Sequence, residues 1–345
     1  MHLASLTDHC LAGRELTPEE CATAAYALVE PAVPDEDKAS FLRALTDKGE
    51  TPGELAAWVQ ALLPLSVDPG LSGDLDGSPL FDCCGTGGGS LDLVNVSTSL
   101  MFLLAAAGVP VTKHGNRGVT KKAGSADLLQ HWRGTLDDSP AAVLPSLRQH
   151  GLAFCFAPVF HPAFRHVAAV RKQLAAEGRR TVFNLLGPLL NPCRPQTQMV
   201  GVFRREHLPL FAEALRKLGR RRYLVVYGED AEGRALGEVS SIGPTRLLGS
   251  LDGVEVDREI HPVTPAPVTP LLVCGAAESA ARIEAVFHGR ETGLLAEFIL
   301  LNAAVGAWVN GITDSIGAGE KQMRELLHSG LVTKKLESWV QSDSA

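Results

Sequence analysis

Residues 82–127 read DCCGTGGGSLDLVNVSTSLMFLLAAAGVPVTKHGNRGVTKKAGSAD. Leu80 and Phe81 begin a short apolar run, which Gly85, Thr86, Gly87, Gly88 and Gly89 stop. Glycine adds no side chain and carries an entropic cost, so such a cluster does not serve packing. It lets backbone N–H groups approach an anion closely. Alone it fits a flexible surface turn equally well, and it is neither the Walker nor the dinucleotide glycine pattern. Asn95, Val96, Ser97 and Thr98 then precede an apolar helical run that ends at Gly108, with good capping residues at both ends. A helix N-terminus has free N–H groups and partial positive charge, which also suits phosphate. Val109, Pro110, Val111 and Thr112 read as a buried strand running into Lys113, His114, Gly115, Asn116 and Arg117. In open α/β sheets, ligands sit beyond the carboxyl ends of strands. Gly124, Ser125, Ala126 and Asp127 form a further small-residue turn entering a helix.

The 345 residues allow one large domain or two with ample core. Hydrophobic content of 45% and charged content of 21% fit a soluble globular protein. A net charge of −7 argues against nucleic acid as a partner. Seven scattered cysteines, none in a CxxC pair, point to reduced thiols and not to a disulfide framework or zinc site. No basic segment followed by a long apolar core opens the chain, and the apolar runs near Leu100 and Leu294 are too short or interrupted to span a bilayer. The expectation is a cytoplasmic protein without a membrane partner.

Residues 1–65 read as a helical domain. Thr17-Pro18-Glu19-Glu20 and Thr51-Pro52-Gly53-Glu54 are capping boxes with Pro at the first helical position. Leu55, Val59, Leu62 and Leu63 form an amphipathic stripe. Residues 66–79, rich in Gly, Pro, Asp and Ser, read as a linker. Over 80–345, strands are expected at 80–83, 109–112, 153–157, 199–203 and 223–227. Helices are expected within 97–107, 125–131, 140–149, 161–176, 207–218, 277–287, 292–309 and 319–328. The fold class is therefore α/β: a small N-terminal helical domain plus a larger domain whose mainly parallel central sheet is flanked by helices. The segment 249–272 is Pro- and Val-rich and is left open between loop and further strands.

GTGG, NVST, KHGNR and GSAD follow one another here at the ungapped spacing found in anthranilate phosphoribosyltransferases, a family of the nucleoside phosphorylase-like phosphoribosyltransferases, and the segment resembles that family. HPAFRHVAAVRK (161–172) and TVFNLLGPLLNP (181–192) resemble two further family signatures. The resemblance implies a pentosyltransferase that moves the phosphoribosyl group of phosphoribosyl pyrophosphate (PRPP) to anthranilate, in tryptophan biosynthesis, as a homodimer. It implies that the helical segment near 161–180 packs on the N-terminal domain. Gly85, Thr86, Gly87, Gly88, Asn95, Ser97, Thr98, Lys113 and Ser125 would hold PRPP. Gly85, His114, Asn116, Arg171, Gly187 and Pro188 would hold anthranilate, with the Arg171 fork meeting its carboxylate. Ser97 and Glu238 would contact Mg²⁺, the implied cofactor. No catalytic acid or base is assigned, because an anthranilate amine is already nucleophilic.

The chain departs from the family pattern at acidic positions. Where the family has GTGGD and D-G-L-D-E, this chain has Gly89 and Gly237, and of the second pair only Glu238 survives. Mg²⁺ uses one or two protein carboxylates beside waters and phosphate oxygens, so a single Glu still supports an ion but weakens its site. Two rival readings stay open: a related transferase or phosphorylase with another acceptor, and a non-catalytic paralogue acting as a binding protein.

Overall fold

The structure is a computed structural model that describes residues 2–71, 79–87, 89, 91–118, 123–136 and 139–342. Four helices open the chain: α1 (Leu3–Leu11), α2 (Pro18–Val29), α3 (Asp35–Lys48) and α4 (Pro52–Leu62). Both capping boxes form. Thr17 Oγ1 accepts from the Glu20 N–H and Glu20 Oε2 from the Thr17 N–H, and Thr51 and Glu54 repeat the exchange. Glu54 is buried, yet its carboxylate also accepts from the Leu16 N–H (2.8 Å) and from Lys48 Nζ (2.7 Å). A cap thus doubles as an internal brace, since a buried carboxylate is tolerated only when paired and hydrogen-bonded. Leu55, Val59, Leu62 and Leu63 pack inward beside Phe41, Leu42 and Trp58.

The remaining chain builds β1 (Phe81–Gly85), α5 (Val96–Ala106), β2 (Val111–Gly115), α6 (Ser125–Arg133), α7 (Val143–His150), β3 (Leu152–Phe156), α8 (Ala157–Phe160), α9 (Ala168–Ala176) and α10 (Val182–Leu186). It continues through β4 (Thr197–Gly201), α11 (His207–Lys217), β5 (Arg222–Gly228), β6 (Thr245–Leu251), β7 (Val254–Ile260), α12 (Ala276–Phe287), α13 (Leu294–Asn310), α14 (Ile316–His328) and α15 (Leu331–Gln341). The strands form one sheet in the order β3-β2-β1-β4-β5-β6-β7. The five strands β3 to β5 are parallel, and β6 and β7 add antiparallel at one edge. The chain reverses its direction of travel between β1 and β4, and their adjacent carboxyl ends create a crevice.

Side chains alternate across the sheet. Met199, Leu224 and Val226 face a core built on α5 and α13, whereas Val200, Tyr223 and Val225 face a core shared with α1–α4. Helix α5 is apolar beyond its first turn, and all of its residues but Ser97 and Ala106 are buried, as befits a helix inside the molecule. The helix expected within 161–176 is α9, preceded by a 3-10 turn, Pro162–Val167. The open segment 249–272 supplies the end of β6 and all of β7, joined by Asp252 (φ 53) and Gly253 (φ 86), an Asp-Gly hairpin turn. Helix α15, with Val332, Leu336 and Trp339 buried, had no counterpart among the expected elements.

Candidate active site

Beyond the carboxyl ends of β1 and β2 lies a cleft of about 290 Å³. Gly85, Thr86 and Gly87 form one wall, Asn95 and Ser97 the start of α5, Lys113 to Gly118 another wall, and Ser125 the start of α6. Gly87 has φ +67, the left-handed conformation that glycine supplies to such a loop. Gly88 lies outside the described residues. Asn95 occupies the N-cap position of α5 but makes no side-chain cap: its N–H donates to Ser279 Oγ (3.0 Å), and its Oδ1 is buried without a partner among the described residues. Lys113 Nζ donates to the Cys83 carbonyl (3.0 Å) and to Ser97 Oγ (2.9 Å). Burial disfavours the Lys113 charge, but Cys83, Cys84, Asp82 and Glu238 around it, in that order of weight, reverse the sign and raise its pKa. Asp127 closes the loop before α6 by accepting from the N–H groups of Gly118 and Gly124.

Glu238 reaches the same cleft from the loop after β5. Asp230 organises that loop, accepting from the N–H groups of Glu232, Arg234 and Val268. From α13, the buried Asn302 accepts from the Val239 N–H (2.9 Å) and donates to the Val239 carbonyl (2.7 Å), fixing the residue beside Glu238. A Cβ on Gly201, the last residue of β4, would lie 1.8 Å from the Gly237 carbonyl oxygen, so only glycine permits this approach.

A second cavity, about 500 Å³, adjoins the first. Gly85, His114, Asn116, Arg171 and Gly187 line it together with His161, Phe164 and Phe183. His161 stacks on Phe164 (5.1 Å between centroids) and meets His114 edge-on (5.0 Å). Burial, with His161 beside it, lowers the His114 pKa to about 3, and burial lowers that of His161 to about 4. Both rings are neutral at physiological pH. The Arg171 guanidinium lies over the Phe183 ring (5.0 Å) without a carboxylate partner among the described residues, and burial lowers its pKa. An unpaired guanidinium in an aromatic cavity is a receptor for a carboxylate.

Two expected site residues lie off both cavities. Thr98 is buried in the first turn of α5, its N–H taken by the Asn95 carbonyl (3.1 Å), and among that turn's polar side chains only Ser97 lines the cleft. Pro188 is buried behind Gly187, and its carbonyl accepts from Gln198 Nε2 (3.0 Å). Phe203, His161 and Asn302 were not among the expected residues. Asn302 had a signal, a lone polar side chain in an apolar helix; Phe203 had none. Among the described residues no group of three or more His, Cys, Asp or Glu is arranged to hold a metal ion. Ser97 and Glu238 offer one hydroxyl and one carboxylate, a set that fits Mg²⁺ when phosphate oxygens and waters complete its shell.

The chain belongs to the glycosyl transferase family: the model of its a/b domain matches residues 77–333 and that of its helical bundle domain residues 4–65. Within that family it is similar to anthranilate phosphoribosyltransferases. That of Thermus thermophilus is 40% identical over 339 residues, 95% of this chain and 96% of its own. A crystal structure of the Thermus thermophilus enzyme has a TM-score of 0.88 at 37% identity, covering 99% of both chains. The Saccharomyces cerevisiae enzyme in complex with PRPP and Mg has a TM-score of 0.85 at 25% identity, covering 99% of this chain and 98% of its own. It is also known with 4-fluoroanthranilate bound, at a TM-score of 0.83 and 26% identity, covering 99% of this chain and 97% of its own. No helix among the described residues is long and apolar enough to cross a membrane.

Proposed function

We infer that this chain transfers the phosphoribosyl group of PRPP to the amine of anthranilate, giving N-(5-phosphoribosyl)anthranilate and pyrophosphate, a step of tryptophan biosynthesis. One observation carries the reading. The phosphate-type cleft and the aromatic cavity share Cys84, Gly85, His114, Gly115 and Asn116 as a common wall. A donor in the first and an acceptor in the second therefore meet there. The names and ligands of the Thermus and Saccharomyces relatives support the same pairing.

The C–N bond forms as the bond from the ribose carbon to pyrophosphate breaks, and positive charge develops on that carbon. The protein's part is to hold the partners in line and stabilise the departing phosphates. Backbone groups of Gly85 to Gly87, with Asn95, Ser97, Lys113 and Ser125, would hold the donor. Arg171 would take the acceptor carboxylate, and neutral His114 and Asn116 would orient its amine. Mg²⁺, when bound through Ser97 and Glu238, supplies charge neutralisation to the pyrophosphate. A His114 pKa near 3 makes the ring a weak base, so positioning is its role.

The same reading divides the chain into a helical unit (1–65), a link (66–79) and a donor-binding unit (80–345), working in the cytoplasm as a homodimer. Exposed Leu11 and Tyr26 on the N-terminal helices support that interface, and light scattering at the mass of a single chain would refute it. The reaction is tested by pyrophosphate release from PRPP and Mg²⁺, with and without anthranilate, in the wild type and in Arg171→Ala. The expected result is anthranilate-dependent release that falls at least about a hundredfold in kcat/KM in the variant, as for loss of a buried charge-assisted bidentate contact. Release indifferent to anthranilate would overturn the reading.

A further inference from the structure

A single 3-10 turn, Gly187–Leu189, follows α10. Gly187 and the next residue after the turn, Leu190, line the acceptor cavity, whereas Pro188 and Leu189 are buried behind it. His161 rests on this segment: its Nε2 donates to the Leu190 carbonyl (2.9 Å), since a carbonyl only accepts. Through His161 the segment also sets the face of Phe164 and the edge of His114, the two rings that meet it. A lone 3-10 turn has too few internal hydrogen bonds to fix its own position, so whatever holds it from behind decides where these rings stand.

Two buried amides hold it. Asn191 Nδ2 donates to the Thr112 carbonyl of β2 (2.7 Å), and Asn191 Oδ1 accepts from the Cys193 N–H (3.0 Å). Gln198, buried in β4 opposite Asp82 of β1, donates from Nε2 to the Pro188 carbonyl (3.0 Å) and to Asp82 Oδ2 (3.4 Å). Its Oε1 accepts from Arg220 Nε (2.6 Å). An amide set between a guanidinium and a carboxylate has one orientation, oxygen toward the cation and NH₂ toward the anion. Arg220 and Asp82 therefore aim the Gln198 NH₂ at the turn. The flipped amide would face the Pro188 carbonyl with lone pairs and Arg220 with a second donor. Gln198, Asp82, Asn191 and Arg220 line neither the cleft nor the acceptor cavity, so they act on a ligand only through the segment they support.

We propose that Gln198 is a positioning residue for the acceptor: oriented by Asp82 and Arg220, it fixes the Gly187–Leu189 turn and with it the His161 and His114 side of the cavity. That the acceptor is anthranilate rests on the proposed reaction; the support of the turn does not. The test is steady-state kinetics with each substrate varied in turn, beside denaturant titrations, on the full chain at neutral pH. Gln198→Glu keeps the length and the Arg220 contact but turns only acceptors toward Pro188. It should raise KM for anthranilate at least about tenfold, leave KM for PRPP within about twofold, and lower stability. Combining it with Asp82→Asn returns one donor and one charge to the pair. Stability should then recover while KM for anthranilate stays high, because the Pro188 carbonyl still lacks its donor. Recovery of both together would show that Gln198 serves stability alone and would overturn the proposal. Equal changes in the two KM values would overturn it as well. Should Gln198→Glu fail to fold, Gln198→Met, which removes the donor without adding a charge, takes its place in the KM comparison with the same outcomes. Absence of anthranilate-dependent turnover in the wild type would instead overturn the transfer reading. Crystal structures of wild type and variant then decide the support, which a turn in the same place in both overturns.

Discussion

Asp82, at the start of β1, is wholly buried beneath the donor loop, and one of its oxygens has no partner among the described residues. Burial raises its pKa from 3.8 to about 6, against the pull of Lys113 and the hydrogen bonds of Asn191 and Gln198. Below the unfolded value the carboxyl is neutral in both states. As pH rises toward 6 the unfolded chain ionises first, so stability is lost through that window and levels off above it. The loss is on the order of 3 kcal/mol for a shift of this size in a fully buried group. Asp82→Asn removes the titration, so its stability relative to wild type should rise between pH 4 and pH 7 in denaturant titrations. A difference that stays flat across that range would show Asp82 to be charged throughout. At this scale the sequence was informative where chemistry is local. Lys113, His114, Asn116 and Arg171 line the cavities where their motifs suggested. Phe203 was illegible, because its place in the cleft wall comes from the fold and not from any motif.

Elements were legible when their signals lay within a few residues. Both capping boxes on α2 and α4 could be read from Thr-Pro-x-Glu alone. The β6–β7 hairpin carried an equally local signal in Asp252-Gly253, hidden by the proline-rich stretch that follows it. What no local signal gave is how one element holds another. Asn302 of α13 clamps Val239 by two hydrogen bonds and so sets the position of Glu238. Asn302→Leu keeps the volume and strands a buried N–H and a buried carbonyl, which should destabilise the fold by about 2–4 kcal/mol. It should also raise KM for PRPP several-fold more than KM for anthranilate, since Arg171 and Phe183 belong to other elements. Equal changes in the two KM values would mean that Asn302 is purely structural.

For the whole molecule, the helical bundle and the sheet share one apolar core. Phe41, Leu42 and Trp58 belong to the same cluster as Val200 and Val202 from the β4 end and Tyr223 and Val225 of β5, with Phe211 and Leu215 of α11 between them. Polar ties cross the same boundary: buried Lys38 donates to the His166 carbonyl (2.8 Å), and Arg43 pairs with Glu177 (2.8 Å). A bundle cut away from this contact would expose much of the core that stabilises it, so the two parts should unfold together although they are distinct units in sequence. The tryptophans offer a direct reading, because Trp58 lies in the bundle and Trp132, Trp308 and Trp339 lie in the α/β part. In a variant with those three replaced by Phe, fluorescence reports the bundle and circular dichroism the whole chain. Their denaturation midpoints should coincide, because both signals come from the same molecule and any general destabilisation moves them equally. A fluorescence midpoint at lower denaturant would mean that the bundle melts first. The shared core would then be a docking surface between two independently stable parts, leaving the Arg171 side of the acceptor cavity, which rests on that core through Val170 and Phe183, free to move relative to the donor cleft.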